Sequence, residues 1–284
     1  MLRQRSEQNL TSAQTFPQRL RQANGRLHAA QIFVGKLDLV YFSRFMLKDL
    51  PFLINEEFYT PQVSPQQLDA LLADGWRHFG EQFFRYNVGL HENRLRRVLP
   101  LRVRLADFII SKSQRRILKK NQDTQIVIRP IEITPEKENL FEKHKKRFKH
   151  NIPDSLYDFL SFAPADVPCE ALEVCVYERK KLLAASFFDV GATAVSGIYA
   201  MFDPQETSRS LGIYTILLVI DYALENNKNF YYPGYAYEGN SFYDYKKRFS
   251  ALETFDWNGN WKKFESEFYS GSQNCATNAE ARTK

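Results

Sequence analysis

The chain has 284 residues, 44% apolar and 25% charged, which excludes wholesale disorder and fibrous repeats and leaves one large domain or two ordinary ones. No uninterrupted apolar run reaches the ~18–20 residues of a membrane span. The basic start MLRQRSEQNLTSAQTF lacks the apolar stretch of a secretory signal, so a soluble, cytoplasmic protein with no membrane partner is expected. A net charge of +6 mildly favours an anionic partner. The three cysteines form no CxxC pair and the five histidines no HExxH motif, so no structural metal and no cofactor are expected.

Residues 1–30 are polar and read as a tail, whereas 31–59 turn apolar and aromatic and read as strand or buried loop. Ser64 and Pro65 then open a helix as cap and first-turn residue, with Leu68, Leu71 and Leu72 on one face and Gly75 or Gly80 as its end. Strands are expected over 83–87 and 98–105. The second alternates Val103 and Leu105 with Arg102 and Arg104, giving one apolar and one cationic face. A short helix over 111–121 carries Lys112, Arg115, Arg116, Lys119 and Lys120 at i, i+3, i+4, i+7 and i+8. At about 100° per residue these form one basic stripe, with no acid interspersed to pair with it. A solvated lysine-rich face is the plain reading; a phosphate-binding face is the one preferred here.

A strand follows over 125–131 and a helix over 134–149, capped by Thr134 with Pro135 in its first turn. The basic run KHKKRFKH at its end is sufficiently explained by the helix dipole. Residues 166–168 read as a linker, and Cys169 and Cys175 as buried thiols. Three strands are expected over 171–178, 181–190 and 194–202, a buried apolar helix over 211–225, a short strand over 229–232, and a disordered tail over 266–284. A strand–helix–strand crossover places its strands in parallel, with the helix start facing the crevice at the strand ends. A helix starting through Ser210 and Gly212 presents free N–H groups and a positive dipole end, suited to a phosphate or a developing oxyanion. Ser210 as a mere cap and Asp203-Pro204 as a mere turn are the simpler alternatives.

The element order resembles the acyltransferase superfamily of N-acetyltransferases, peptidoglycan aminoacyltransferases and aminoacyl-tRNA–protein transferases. Acetyltransferases usually pair two small residues for the pyrophosphate of coenzyme A; here Gly212 stands alone before Ile213-Tyr214. The Asp203-Pro204 turn ending in Ser210-Leu211-Gly212 is instead similar to the arginyl- and leucyl-tRNA–protein transferases. Four further blocks, in order, resemble that family: Asp74-Gly75-Trp76-Arg77-His78-Phe79-Gly80, Val98-Leu99-Pro100-Leu101-Arg102-Val103, the Ser-Gln-Arg-Arg helix from Ser111, and Tyr231-Tyr232-Pro233-Gly234-Tyr235 followed by Tyr245-Lys246-Lys247-Arg248-Phe249. Members typically carry N-terminal cysteines and a Cys-Pro-x-Cys cluster. The corresponding stretch 87–94 has none, and the usual Phe-Arg-Pro-x-Glu ending has become Phe249-Ser250-Ala251-Leu252-Glu253.

The resemblance implies an α/β (α+β) fold with an N-acetyltransferase-like mixed sheet over 122–265 and a smaller N-terminal α+β part over 31–121. It implies transfer of leucine or arginine from aminoacyl-tRNA to the N-terminal amine of a protein beginning with Asp or Glu, a mark for degradation, with leucine the first choice. Asp203, Ser210 and Lys246 are the expected catalytic residues. Arg102, Lys112, Arg115, Arg116, Lys119, Gly212, Tyr232, Tyr235, Glu238, Tyr245 and Arg248 are expected to bind substrate. Asp203 and Glu238 are the carboxylates considered as proton acceptor. The alternatives are a coenzyme A-dependent N-acetyltransferase and an inactive RNA-binding homologue.

Overall fold

The computed structural model describes residues 52–91, 94–148 and 152–265; the expected tails and most of the stretch 31–59 lie outside the described residues. β1 (Asn55–Tyr59) leads to α1 (Pro65–Ala73), where Ser64 and Gln67 form a reciprocal capping box and Gly75 follows the helix at φ +82°. β2 (Arg77–Phe79) and β3 (Gln82–Tyr86) join β1 in a three-stranded sheet ordered β1-β3-β2.

The larger sheet has nine strands. β4 (Val88–His91) pairs with β5 (Arg94–Arg104), which sits beside β11 (Leu252–Phe255) and β10 (Phe230–Tyr237). Beyond β10 come β9 (Ala194–Phe202), β8 (Lys181–Val190), β7 (Ala171–Glu178) and β6 (Gln125–Pro130), with β12 (Trp261–Lys263) at the other edge. All neighbours are antiparallel except β9 and β10, which the crossover helix α4 (Leu211–Glu225) makes parallel. This is the expected mixed α+β fold, and β5, from the segment expected in the smaller part, lies inside this sheet.

The sheet is covered on both faces because its central strands are apolar on both. Phe188 and Val174 pack under α4, while their strand neighbours Phe187 and Cys175 face α3 (Pro135–Lys145). Burying each of those phenylalanines contributes about 2–3 kcal/mol. A third cluster, with Leu68, Leu72, Phe83 and Tyr232, holds α1 and the small sheet against the large one.

Several expected boundaries move. The helix expected over 134–149 ends at Lys145. β5 begins at Arg94, and its Arg102 is no free cation: it bonds Glu253 at 2.7 Å and lies over the rings of Phe230 and Trp261. The strand expected over 229–232 runs on to Tyr237, because a register shift between Tyr231 and Gly234 carries it past Pro233.

Candidate active site where two central strands part

β9 and β10 are paired in parallel at positions 194–196 and 230–232. Beyond those pairs β9 stays with β8, while β10 stays with β5 as far as Tyr237. The two strands therefore diverge and leave a wedge in the middle of the sheet. Four consecutive residues of β9, 197–200, are half-exposed although the strand is central, and so is Tyr235 across the gap.

Two cations converge on the narrow end. The Arg77 guanidinium, from β2, donates to Ser196 Oγ at 2.8 Å and to the Gly197 carbonyl. Lys246 lies in a 3-10 stretch (Phe242–Arg248) and donates from Nζ to the Tyr235 carbonyl at 3.0 Å, under the Tyr243 ring. Between them is Gly234 at φ +91°, where an added Cβ would sit 3.2 Å from Lys246 Nζ and 3.7 Å from an Arg77 guanidinium nitrogen. A side chain there would displace both. Burial, and secondarily the charge of Arg77, lower the Lys246 ammonium to about 7. Burial also lowers Arg77, against the attraction of Asp189.

Behind Arg77 the polar chain continues inward. Ser196 Oγ donates to Asp189 Oδ2 at 2.9 Å, and His78 Nε2 stands 3.1 Å from the same oxygen. Tyr235 fixes the wall of the wedge by donating its hydroxyl to the Gly75 carbonyl at 2.6 Å, and burial raises its phenol well beyond the usual range.

The wide end is built from the β9–α4 connection. Asp203 is buried; it caps a 3-10 stretch (Pro204–Arg209) by accepting from Gln205 N–H and pairs with Lys181 at 3.0 Å. Ser210 is left-handed (φ 54°) and its hydroxyl makes no cap bond, while Gly212 lets the Phe202 ring approach the first turn of α4. Arg209 braces this connection through Asp123 at 2.8 Å and through Glu178. α2 (Lys112–Lys120) is tied to the same place: Lys120 Nζ donates to the Ser208 carbonyl at 2.7 Å and Asn121 Nδ2 to the Arg209 carbonyl at 2.9 Å. A Ser111–Gln114 capping box starts α2, and Lys112, Arg115, Arg116 and Lys119 all face solvent.

The structure thus gathers Lys246 and Tyr235 at the narrow end, and Asp203, Ser210, Gly212 and the basic helix at the wide end. Asp203 lies six positions beyond Gly197, or about 20 Å of strand. Tyr232 is buried against Trp261, and Arg102 is held over the ring of the same tryptophan. Tyr245 packs against the main core, Glu238 lies 3.9 Å from Arg97, and Arg248 is exposed. Arg77, Ser196, Asp189 and His78 were not among the sequence candidates. Arg77 and His78 stand in the Asp74–Gly80 block that resembles the family, and the local signal of Asp189 is an isolated acid in the apolar run Phe187-Phe188-Asp189-Val190, which must find a partner when buried.

Residues 136–256 match the family described as "Arginine-tRNA-protein transferase, C terminus". The aspartate/glutamate leucyltransferase of Xanthomonas euvesicatoria pv. vesicatoria is 32% identical over 178 residues, covering 58% of this chain and 70% of the relative. That of Shewanella putrefaciens is 30% identical over 200 residues, covering 67% and 80%. The chain belongs to the aminoacyl-tRNA–protein transferases. It is therefore an aminoacyltransferase, and the matched span contains β9, β10, Lys246 and α4, whereas Arg77 and the basic helix α2 lie before it. Among solved structures, the glucosamine N-acetyltransferase region of a fungal GH3 β-N-acetylglucosaminidase superimposes with a TM-score of 0.38 at 13% identity, over 66% of this chain and 22% of that one. Among the described residues no helix of this transferase is long and apolar enough to cross a membrane.

Proposed function

We propose that the transferase moves leucine, or arginine as the second choice, from its tRNA to the N-terminal amine of proteins that begin with Asp or Glu. The names of its relatives support the leucine donor and the acidic acceptors. The observation that carries the reading is the wedge itself, with a solvent-facing basic helix anchored at one end and a weakly basic lysine at the other.

In this reading α2 holds the RNA backbone near the acceptor end, reading phosphate and not sequence. The first-turn amides of α4, around Gly212, receive the terminal phosphate or ribose at the wide end. The aminoacyl ester then extends along β9 to the narrow end. There the acceptor amine attacks the ester carbonyl, the N–C bond forms, and the C–O bond to the ribose breaks. Neutral Lys246 takes the proton released by nitrogen and passes it to the ribose oxygen as that leaves. The nearby charge of Arg77 favours the oxyanion formed during attack. Asp203, already committed to Lys181 and a backbone cap, shapes the wide end and takes no proton.

The test is transfer of labelled leucine from leucyl-tRNA to peptides that differ only at residue one. Asp and Glu peptides should be labelled and Ala and Arg peptides should not. Equal labelling of all four removes the acidic-acceptor part of the proposal, and labelling of none, with arginyl-tRNA labelling none either, removes the whole.

A further inference from the structure

We propose that His78, Cys169 and Asp189 form a binding site for one divalent metal ion of the zinc class, clipping β2 and the loop before β7 onto β8. The inference stands apart from the proposed reaction. It also lies outside the stretch 87–94, where the family's cysteine cluster would fall and this chain has no cysteine.

All three side chains are buried, and their ligand atoms lie within 4.8 Å of one another. His78 Nε2 is 3.1 Å from Asp189 Oδ2, and Cys169 Sγ is 3.7 Å from Asp189 Oδ1. Zinc–nitrogen, –oxygen and –sulfur bonds of ordinary length at a tetrahedral angle place N and O about 3.4 Å apart and S and O about 3.6 Å apart. Each carboxylate oxygen stands near such a separation from one donor, Oδ2 from His78 and Oδ1 from Cys169, so a bidentate Asp189 serves both.

The histidine supplies the second and independent observation. Its Nδ1 lies 3.0 Å from the Gly80 carbonyl, which can only accept, so Nδ1 carries the hydrogen. Nε2 is then a bare lone pair in the neutral ring. It is buried and without a hydrogen-bond partner, despite its closeness to the carboxylate. A lone pair pressed against a carboxylate is repulsive unless a positive charge lies between them. An N–H donated to a backbone carbonyl, with the opposite nitrogen aimed at the ion, is the usual posture of a metal-bound histidine.

The surroundings complete the shell. Asp189 is oriented by Ser196, and Ser196 by Arg77. A small cavity of about 10 Å³, lined in part by His78, Ser161, Asp189 and Ile198, borders two of the three ligands and is about the space one water needs as a fourth ligand. On binding, Cys169 gives its proton to solvent and ligates as the thiolate. The ion would thereby fix β2, and with it Arg77, at the narrow end of the wedge.

The experiment uses the full chain, purified without a histidine tag, emptied with chelator and titrated with Zn²⁺ or Co²⁺. One ion per chain is expected, with a thiolate-to-cobalt charge-transfer band and a chelator-dependent fall in thermal stability. Cys169→Ser and His78→Gln should lose the band, whereas Cys275→Ser should keep it. Ser196→Ala should weaken affinity by about 10–100-fold through misorientation of Asp189. Circular dichroism of each variant separates lost binding from lost folding, and the wild-type titration needs no variant. Absence of stoichiometric binding in the wild type, or a cobalt band that survives Cys169→Ser, overturns the proposal. So does an empty wild-type protein whose His78 carries protons on both nitrogens, because a proton would then fill the gap.

Discussion

Removing the charge of Arg77 should move the pH dependence of the transferase. Lys246 titrates near 7 because it is buried and because Arg77 adds a second positive charge beside it. Both cations approach the Gly234 Cβ position, so they are no more than about 7 Å apart, which at an effective dielectric of about 20 makes their repulsion roughly 2 kcal/mol, or up to about two pH units. In wild type the rate should rise about 100-fold per pH unit below 7, where Lys246 and the peptide amine must each shed a proton, and only with the slope of the peptide amine above it. Arg77→Met should shift that limb to higher pH by one to two units, about the size of the missing repulsion. Lys246→Arg, charged at every accessible pH, should lower turnover by about 10²–10⁴-fold and leave only the shallower limb of the peptide amine. The assay is single-turnover transfer from preformed enzyme–aminoacyl-tRNA complex to one peptide across the pH range. The peptide's own amine titrates identically in all three proteins, so it cannot produce a difference between them. An unmoved limb in Arg77→Met, or one as steep as wild type in Lys246→Arg, refutes Lys246 as the proton acceptor.

Three other consequences can be measured. Reversing Arg115 and Arg116 to Glu should flatten the log–log salt dependence of tRNA binding by about two, one for each phosphate no longer neutralised, and an unchanged slope puts the RNA elsewhere. His144 is buried and depressed from 6.5 to about 4, chiefly by burial and then by Arg147. Between those values the unfolded chain binds a proton that the folded one does not, so the stabilisation present above 6.5 is lost as pH falls toward 4, by up to about 3 kcal/mol. Urea unfolding of His144→Gln should lack that acid slope; an identical slope in both proteins contradicts the assignment. Ser210→Gly should stabilise by about 0.5–1 kcal/mol, because Ser210 is left-handed without a compensating cap bond, and thermal unfolding would show a loss if the hydroxyl mattered.

The second half of the fold was legible because its signals are local. Alternating or fully apolar runs broken at Arg179-Lys180 and Gly191 gave β7, β8 and β9 their observed limits, and the apolar stretch from Leu211 gave α4 its own. β10 was read too short because Pro233-Gly234 looks like a stop, whereas a bulge lets the strand continue. The basic helix and Lys246 were legible as chemistry, one from its stripe and the other from the family motif. The network of Arg77, Ser196, Asp189 and His78 was not, since its two halves, Arg77-His78 and Asp189 with Ser196, lie more than a hundred residues apart and meet only when β2 docks against β8 and β9. The lowered basicity of Lys246 was equally invisible, because it comes from burial and from a neighbour 169 positions away in sequence.

The most direct measurement compares two acyl donors on one acceptor. Purified protein is given a peptide beginning with Asp, together with either leucyl-tRNA or acetyl-CoA, and the product is weighed by mass spectrometry. The family assignment and the wedge with its basic helix predict a peptide heavier by one leucine residue in the first reaction and unchanged peptide in the second. Arginyl-tRNA in a parallel tube decides between the two aminoacyl donors. An acetylated peptide, with neither leucyl nor arginyl product, would contradict the central claim.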